Sequence, residues 1–263
     1  MDVRALGYRT DLMIRMLEGS SIVDRGDYLV ISTPQIPTYW WGNFLLLARP
    51  PEPGQASRWL AAFAAEFPGA RHLTLGIDTP AAGTVDGSEL AAAGMTAELS
   101  AVLTARALHQ PPHPSPDALC RPLAGDADWL QAAAVRAAVT AGTPGHDPVF
   151  LRARVAAERA LTESGHGWWF GAFTGGQLAA HLGVITDGSG LARYQNVETH
   201  PDARRQGLAG TLVAHAGQHA LARGVRQLVM VADPDDAAIR IYRSVGFAAA
   251  ESQIGFQRVP AGG

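Results

Sequence analysis

Lysine is absent from the 263 residues, so all 21 basic side chains are arginine, whose guanidinium stays charged at any working pH. No lysine is available for a Schiff base or for carrying an acyl group. Cysteine is nearly absent as well. Cys120 alone cannot form an intramolecular disulfide and offers no zinc-ligand spacing, which excludes a disulfide-stapled secreted scaffold and a cysteine metal site. No metal is expected, and a reducing cytoplasm is the expected location. No stretch approaches the ~20 apolar residues of a membrane span, and the start, MDVRALGYRTDLMIRMLEG, lacks the basic region and apolar run of a targeting signal. Charge of one sign is not in excess either: 21 basic residues against 24 acidic leave a net charge of -3, with no basic face for a phosphate backbone. Neither nucleic acid nor a membrane is an expected partner.

What is present is apolar material for a real core, 47% of the residues, enough for one large domain or two small ones. The proline- and histidine-rich stretch HQPPHPSPDALC, from His109 to Cys120, reads as an extended linker and divides the chain into 1–114 and 115–263. After it come a short strand at Leu119 to Pro122 and a helix from Ala127, with Leu130, Ala134 and Ala137 at helical spacing; a second helix covers Phe150 to Thr162. Three strand-like runs, WWFGAF from Trp168, QLAAHLGVIT from Gln177 and ARYQNVETH from Ala192, are separated by the turn clusters TGG and DGSG and predict an antiparallel meander. Leu208, Leu212, Ala216 and Ala220 then form one helical stripe that stops at Gly224. LVMVA from Leu228 reads as a strand buried on both faces, and Asp233, Pro234, Asp235 and Asp236 predict a capped helix that Gly246 ends.

The first half replays part of this order. Trp59, Leu60, Phe63 and Phe67 form a helical stripe, HLTLGID from His72 a strand, and SELAAAGM leads into the alternating run TAELSAVLTA. Leu73 then aligns with Leu228, and Gly94-Met95 with Gly246-Phe247, which suggests an internal duplication.

RRQGLAG, Arg204 to Gly210, sits between a predicted strand and the opening of the predicted amphipathic helix. Gly207 and Gly210 let the backbone turn its amides outward, and the helix end adds roughly half a positive charge, a setting for a pyrophosphate. Tyr242 follows, four residues before Gly246. Together these resemble the GNAT superfamily of acyl-CoA N-acyltransferases: Arg204, Gly207 and Ala209 meet its first signature, and Asp235, Ala238, Tyr242, Gly246 and Phe247 meet the second, with Asp where the family has Asn. The resemblance runs from about Cys120 to Arg258. It implies a mixed α/β (α+β) fold with a central, mostly antiparallel sheet flanked by helices, here duplicated, as in tandem members with one degenerate copy.

It also implies acetyl-CoA as cosubstrate and direct transfer to a primary amine on a small molecule or peptide. The main chain of Val197, Glu198 and Thr199 would meet the pantetheine arm, the amides of Arg205, Gln206, Gly207, Leu208, Ala209 and Gly210 the pyrophosphate, and Arg204, Asp235 and Tyr242 would also contact the cofactor. Tyr242 is then the expected acid at the leaving sulfur, unless it is a core residue beside Ile241 and Val245. Glu198 is the candidate base, with His200, Tyr194 and His181 as rivals. Trp40, Trp41, Trp168 and Trp169 either line a pocket for the amine or belong to the core. In the first half, ARPPEPGQAS from Ala48 stands where the loop would be, and Pro50, Pro51 and Pro53 each remove an amide donor, so this half is expected not to bind CoA. A non-catalytic acyl-CoA-binding regulator on the same fold is the competing function, and a monomer and a homodimer are both compatible with the sequence.

Overall fold

A computed structural model describes residues 1–142 and 147–259, which form two compact units: Met1–Val102 with Ala250–Gly263, and Leu103–Ala249. The division expected at residue 115 thus lies inside the second unit.

The first unit opens with helix α1 (Leu6–Leu17), which buries Tyr8, Leu12, Met13 and Ile14. Gly19 stops it at φ 82°, while Ser20 N–H donates back to Arg15 O at 2.9 Å, satisfying a helix-end carbonyl. Strands β1 (Ser21–Asp24), β2 (Tyr28–Ser32) and β3 (Phe44–Leu47) form an antiparallel meander. Helix α2 (Ala56–Glu66) crosses over to β4 (Leu73–Ile77), which pairs parallel to β3, and α3 (Ser88–Ala92) leads to β5 (Thr96–Ala105). All four residues of β3 are buried because both its faces are covered. Leu45 and Leu47 meet Trp59 and Phe63 of α2, whereas Phe44 and Leu46 meet Tyr8 and Leu12 of α1.

The second unit runs β6 (Leu119–Pro122), α4 (Gly125–Val139), α5 (Pro148–Glu163), then the antiparallel meander β7 (Gly167–Thr174), β8 (Gln177–Ile185) and β9 (Leu191–Thr199). Helix α6 (Leu208–Leu221) crosses to β10 (Gln227–Ala232), parallel to β9, and α7 (Ala238–Ser244) follows. The last strand, β11 (Ala248–Arg258), returns to the first unit, where Ile254–Arg258 pair antiparallel with β4. Each unit therefore shows the same order, three antiparallel strands, a helix, a strand parallel to the third and a short helix, and the strand that follows in the chain is β5 in one case and β11 in the other. Strand order is β1-β2-β3-β4-β11-β5 in the first unit and β10-β9-β8-β7-β6 in the second.

Three expectations are corrected. The stripe of α4 is Trp129, Ala132, Val135 and Arg136, with Leu130 71% exposed, because Trp129 packs against Trp169 and turns the helix that way. Helix α7 begins at Ala238, not near Asp233. Asp233 accepts the N–H of Asp235 and Asp236 that of Ala238, both at 2.8 Å, so these side chains hold turns in place of helix. The expected linker is a strap packed along α6. Cβ atoms built on Gly217, Gly210 and Gly207 would come 2.2 Å from Leu108, 3.0 Å from Pro111 and 2.3 Å from His113 O, so these glycines leave the groove it fills. Prolines suit such a strap by having no N–H to leave unpaired; its His109 and Ser115 amides donate to Val245 O at 3.1 Å and Thr211 Oγ1 at 2.9 Å.

Candidate active site in the second unit

β9 and β10 pair only at Leu191–Arg193 with Gln227–Val229, so the later residues of both strands are released from each other. On its other edge β9 pairs with β8, and the register shifts between His181 and Gly183. That bulge puts Asn196 at φ 48°, a left-handed conformation asparagine tolerates better than most residues. Val197, Glu198 and Thr199 therefore lie on a stretch of β9 that faces β10 without bonding to it. Tyr194 fixes the start of this stretch, its buried hydroxyl donating to Val213 O of α6 at 2.8 Å and its ring edge-on to Phe247. Burial pushes its phenol well above the ordinary value, which removes it as a base.

β9 leads through the 3-10 turn Pro201–Ala203 into Arg204–Gly210. His200 caps that turn, its Nδ1 accepting Asp202 N–H at 3.3 Å. Arg205 at φ 62° and Gly207 at φ 75° bend the backbone into α6, whose N-terminus has no side-chain cap. Its first amides are left for an external acceptor. Arg204 and Arg205 are exposed, and among the described residues neither has an ion-pair partner within 4.0 Å. Tyr242 lies on α7 with 6% exposure; burial, then the charge of Asp236, push its phenol up to about 12. Asp235 is exposed in the turn before α7.

The Glu198 side chain enters a buried ionic network. Arg136 of α4 donates through Nε to both carboxylate oxygens of Glu198 at 3.1 Å, and through Nη1 to Glu158 of α5 at 2.7 Å. Asn196 Nδ2 donates to Glu158 Oε1 at 2.7 Å, tying the bulge to the same cluster. His181 Nε2 sits 3.0 Å from Glu198 Oε2, while its Nδ1 accepts the indole N–H of Trp169 at 3.1 Å. An Nδ1 that accepts leaves the neutral imidazole with its proton on Nε2, towards Glu198. Burial opposes ionisation of Glu198, but His181 and the Arg136 charge outweigh it and hold the carboxyl below its ordinary range. This pairing opposes the role of proton acceptor expected of Glu198. Trp169, 1% exposed, is core; Trp168 packs edge-on to His219. Sequence reading missed Arg136, Glu158 and Asn196. The available signal was charge at stripe spacing: Arg154, Glu158 and Leu161 are the buried positions of α5.

The corresponding helix end in the first unit is occupied. Glu89 accepts the N–H groups of Gly54 at 2.6 Å and of Ala56 at 3.4 Å, so the chain's own carboxylate sits at the N-terminus of α2. Trp40–Gly42 form a 3-10 turn, and Trp41 borders a cavity of that unit.

Residues 135–247 match the model of the acetyltransferase (GNAT) family. The likeness to that family rests on this part of the chain, and the family's members transfer acyl groups from acyl-CoA, generally to amines. No curated protein sequence matches the chain. Among solved structures, a functionally unknown conserved protein from Staphylococcus epidermidis ATCC 12228 superposes with TM-score 0.73 at 13% identity, covering 92% of this chain and 95% of that one. A GCN5-related N-acetyltransferase from Kribbella flavida gives 0.65 at 19% identity, covering 98% and 97%. A tandem GNAT protein from the clavulanic acid biosynthesis pathway gives 0.55 at 17% identity, covering 81% and 73%. These likenesses show the fold. Among the described residues, no helix is long and apolar enough to cross a membrane.

Proposed function

We propose that the second unit is an acetyl-CoA-dependent N-acetyltransferase that acts on a primary amine by direct attack. The observation that carries this reading is the opening of β9 from β10 beyond Arg193, leading straight to the uncapped end of α6. Acetyl-CoA carries an extended amide-bearing arm and a pyrophosphate, and the residues present fit both: released main chain at Val197, Glu198 and Thr199, then the amides of Arg205 to Gly210 with two exposed arginines. Asp235 adds a negative charge nearby and is assigned to the turn, not to phosphate.

Bound acetyl-CoA supplies the activated thioester. The released β9 amides orient and polarise its carbonyl; the neutral amine attacks that carbon, the C–S bond breaks with its electron pair leaving on the thiolate, and the proton lost from the new amide nitrogen passes to solvent. Tyr242 stays protonated at any working pH, and an alkyl thiol has an ordinary pKa near 8.5, so complete proton transfer from the phenol would be uphill by about 5 kcal/mol. Tyr242 therefore serves as a hydrogen-bond donor to the departing sulfur. Glu198 anchors the bulge through Arg136 and contributes its main chain. Burial pushes the thiol of Cys120 upward, which argues against a cysteine-bound acyl intermediate.

The first unit is a degenerate copy of the same domain, with Glu89 and Pro50, Pro51 and Pro53 at the position of the phosphate loop. A single cysteine supports action in a reducing cytoplasm. One feature favours the alternative, a non-catalytic acyl-CoA-binding regulator: the carboxylate nearest the opening is engaged by Arg136 and His181. Thiol release from acetyl-CoA across a panel of amines decides. Turnover with at least one amine, diminished in Tyr242→Phe, supports the enzyme; CoA binding with no thiol release from any amine supports the regulator.

A further inference from the structure

We propose that the first unit holds a separate binding site for a small organic cation, an alkyl or quaternary ammonium. The site is a cavity of about 220 Å³ bounded by α1, β5, β11 and the turn at Trp41. Drug-sized ligands occupy roughly 300–1,000 Å³, so the occupant is smaller.

Its walls suit a cation. Trp41, half-buried, borders it, with Phe44 and Tyr8 buried behind: ring centroids are 5.6 Å apart for Trp41 and Phe44 and 6.4 Å for Tyr8 and Phe44. The rings are held: Tyr8 donates to Ile254 O at 2.6 Å, and Trp41 lies against Gly255, where a Cβ would come 2.2 Å from its ring. Aromatic faces carry negative potential and attract cations, tryptophan most of all. The charged lining is negative in excess. Asp11, which accepts the Gln253 amide at 3.0 Å, and Glu98 line the cavity with one guanidinium, Arg15, which pairs with Glu18 at 2.5 Å and stacks 4.8 Å from the Tyr39 centroid. Glu98 is half-buried and accepts the Gln257 amide at 2.6 Å; among the described residues no cation lies within 4.0 Å of it. A carboxylate removed in part from water gains from a counter-charge, and an entering ammonium supplies one. The same lining repels phosphates, so the site is not a second place for acyl-CoA.

The inference does not depend on acyl transfer, because binding is measured without acyl-CoA. Calorimetric titration of the full chain with choline, n-butylammonium and 3,3-dimethylbutanol, the uncharged isostere of choline, separates charge from shape. One site per chain is expected, with a cation bound at least ~10-fold more tightly than the isostere and the preference weakening in high salt. Trp41→Leu and Glu98→Gln, each checked for an intact thermal transition, should lower cation affinity several-fold. Should Trp41→Leu not fold, Glu98→Gln decides. Equal binding of cation and isostere, binding of neither, or unchanged affinity in folded Glu98→Gln would overturn the proposal.

Discussion

The carboxylate of Glu89 accepts the N–H of Gly54 at 2.6 Å and so fills, in the first unit, the helix end that Gly207 leaves without a side-chain cap in the second. An anion already supplied by the chain excludes an external one from the same amides, and the neighbouring prolines offer none in exchange.

Titration with acetyl-CoA should accordingly give one site per chain. Glu89→Ala should leave that number at one while costing about 1 kcal/mol of stability, the usual cost of losing a helix-end side-chain bond. Two sites in the wild type, or a second appearing in Glu89→Ala, would show that the first unit retains a cofactor loop.

The contrast explains what was legible in the sequence. Strands β7, β8 and β9 are runs bounded by the turn clusters TGG and DGSG, the stripe of α6 follows helical spacing, and Leu208, Leu212, Ala216 and Ala220 are all buried as that spacing requires. Glycine and arginine in 204–210 point to an anion site because backbone freedom and charge are local properties. The strap over α6 is not local. Its prolines signal extended chain equally well in a free linker, and only Gly207, Gly210 and Gly217, far along the sequence, give it a groove. Likewise, the return of β11 to β4 joins residues about 180 positions apart, which no periodicity encodes. The Arg136–Glu158–Glu198 network was hidden for the same reason.

Gly207 itself makes a poor probe of cofactor binding. Its φ of 75° and the 2.3 Å approach of His113 O mean that Gly207→Val disrupts the strap before any phosphate arrives. The loss of CoA affinity expected of that variant should come with a fall of several kcal/mol in stability. Exposed Arg204 and Arg205 are cleaner. Arg205→Ala and Arg204→Ala should each weaken acetyl-CoA binding roughly tenfold at low salt, less at high salt, with melting temperature unchanged. Unchanged affinity in both would remove phosphate from this loop.

For Tyr242, the raised phenol fixes both the size and the pH dependence of the effect. Tyr242→Phe keeps the ring and its packing, so acetyl-CoA affinity should stay within a few-fold while kcat falls at least ~10-fold. A group pushed up to about 12 stays protonated as pH rises through 8 to 10, so wild-type kcat should show no decline there from this residue. Equal kcat in the two proteins would assign Tyr242 to the core alone.

Glu198 offers the sharpest test of how the amine loses its proton. A carboxylate held below its ordinary range is a weak base, and removing a proton from an alkylammonium of ordinary pKa would be uphill by at least about 8 kcal/mol. The amine must shed that proton to solvent, so kcat/KM should climb about tenfold per pH unit up to the pKa of the amine itself, without an inflection between pH 5 and 7. In stability, a depressed carboxyl contributes fully above its unfolded pKa, near ~4.3, and loses that contribution as pH falls through its lower folded value. Glu198→Gln should therefore be less stable than wild type at pH 7 by about 3 kcal/mol, since Arg136 loses one of its two buried partners, and the gap should close on acidification below about pH 4. The conservative variant should keep the wild-type shape of the kcat/KM profile. An inflection between pH 5 and 7 in wild type that disappears in folded Glu198→Gln would instead make Glu198 the base.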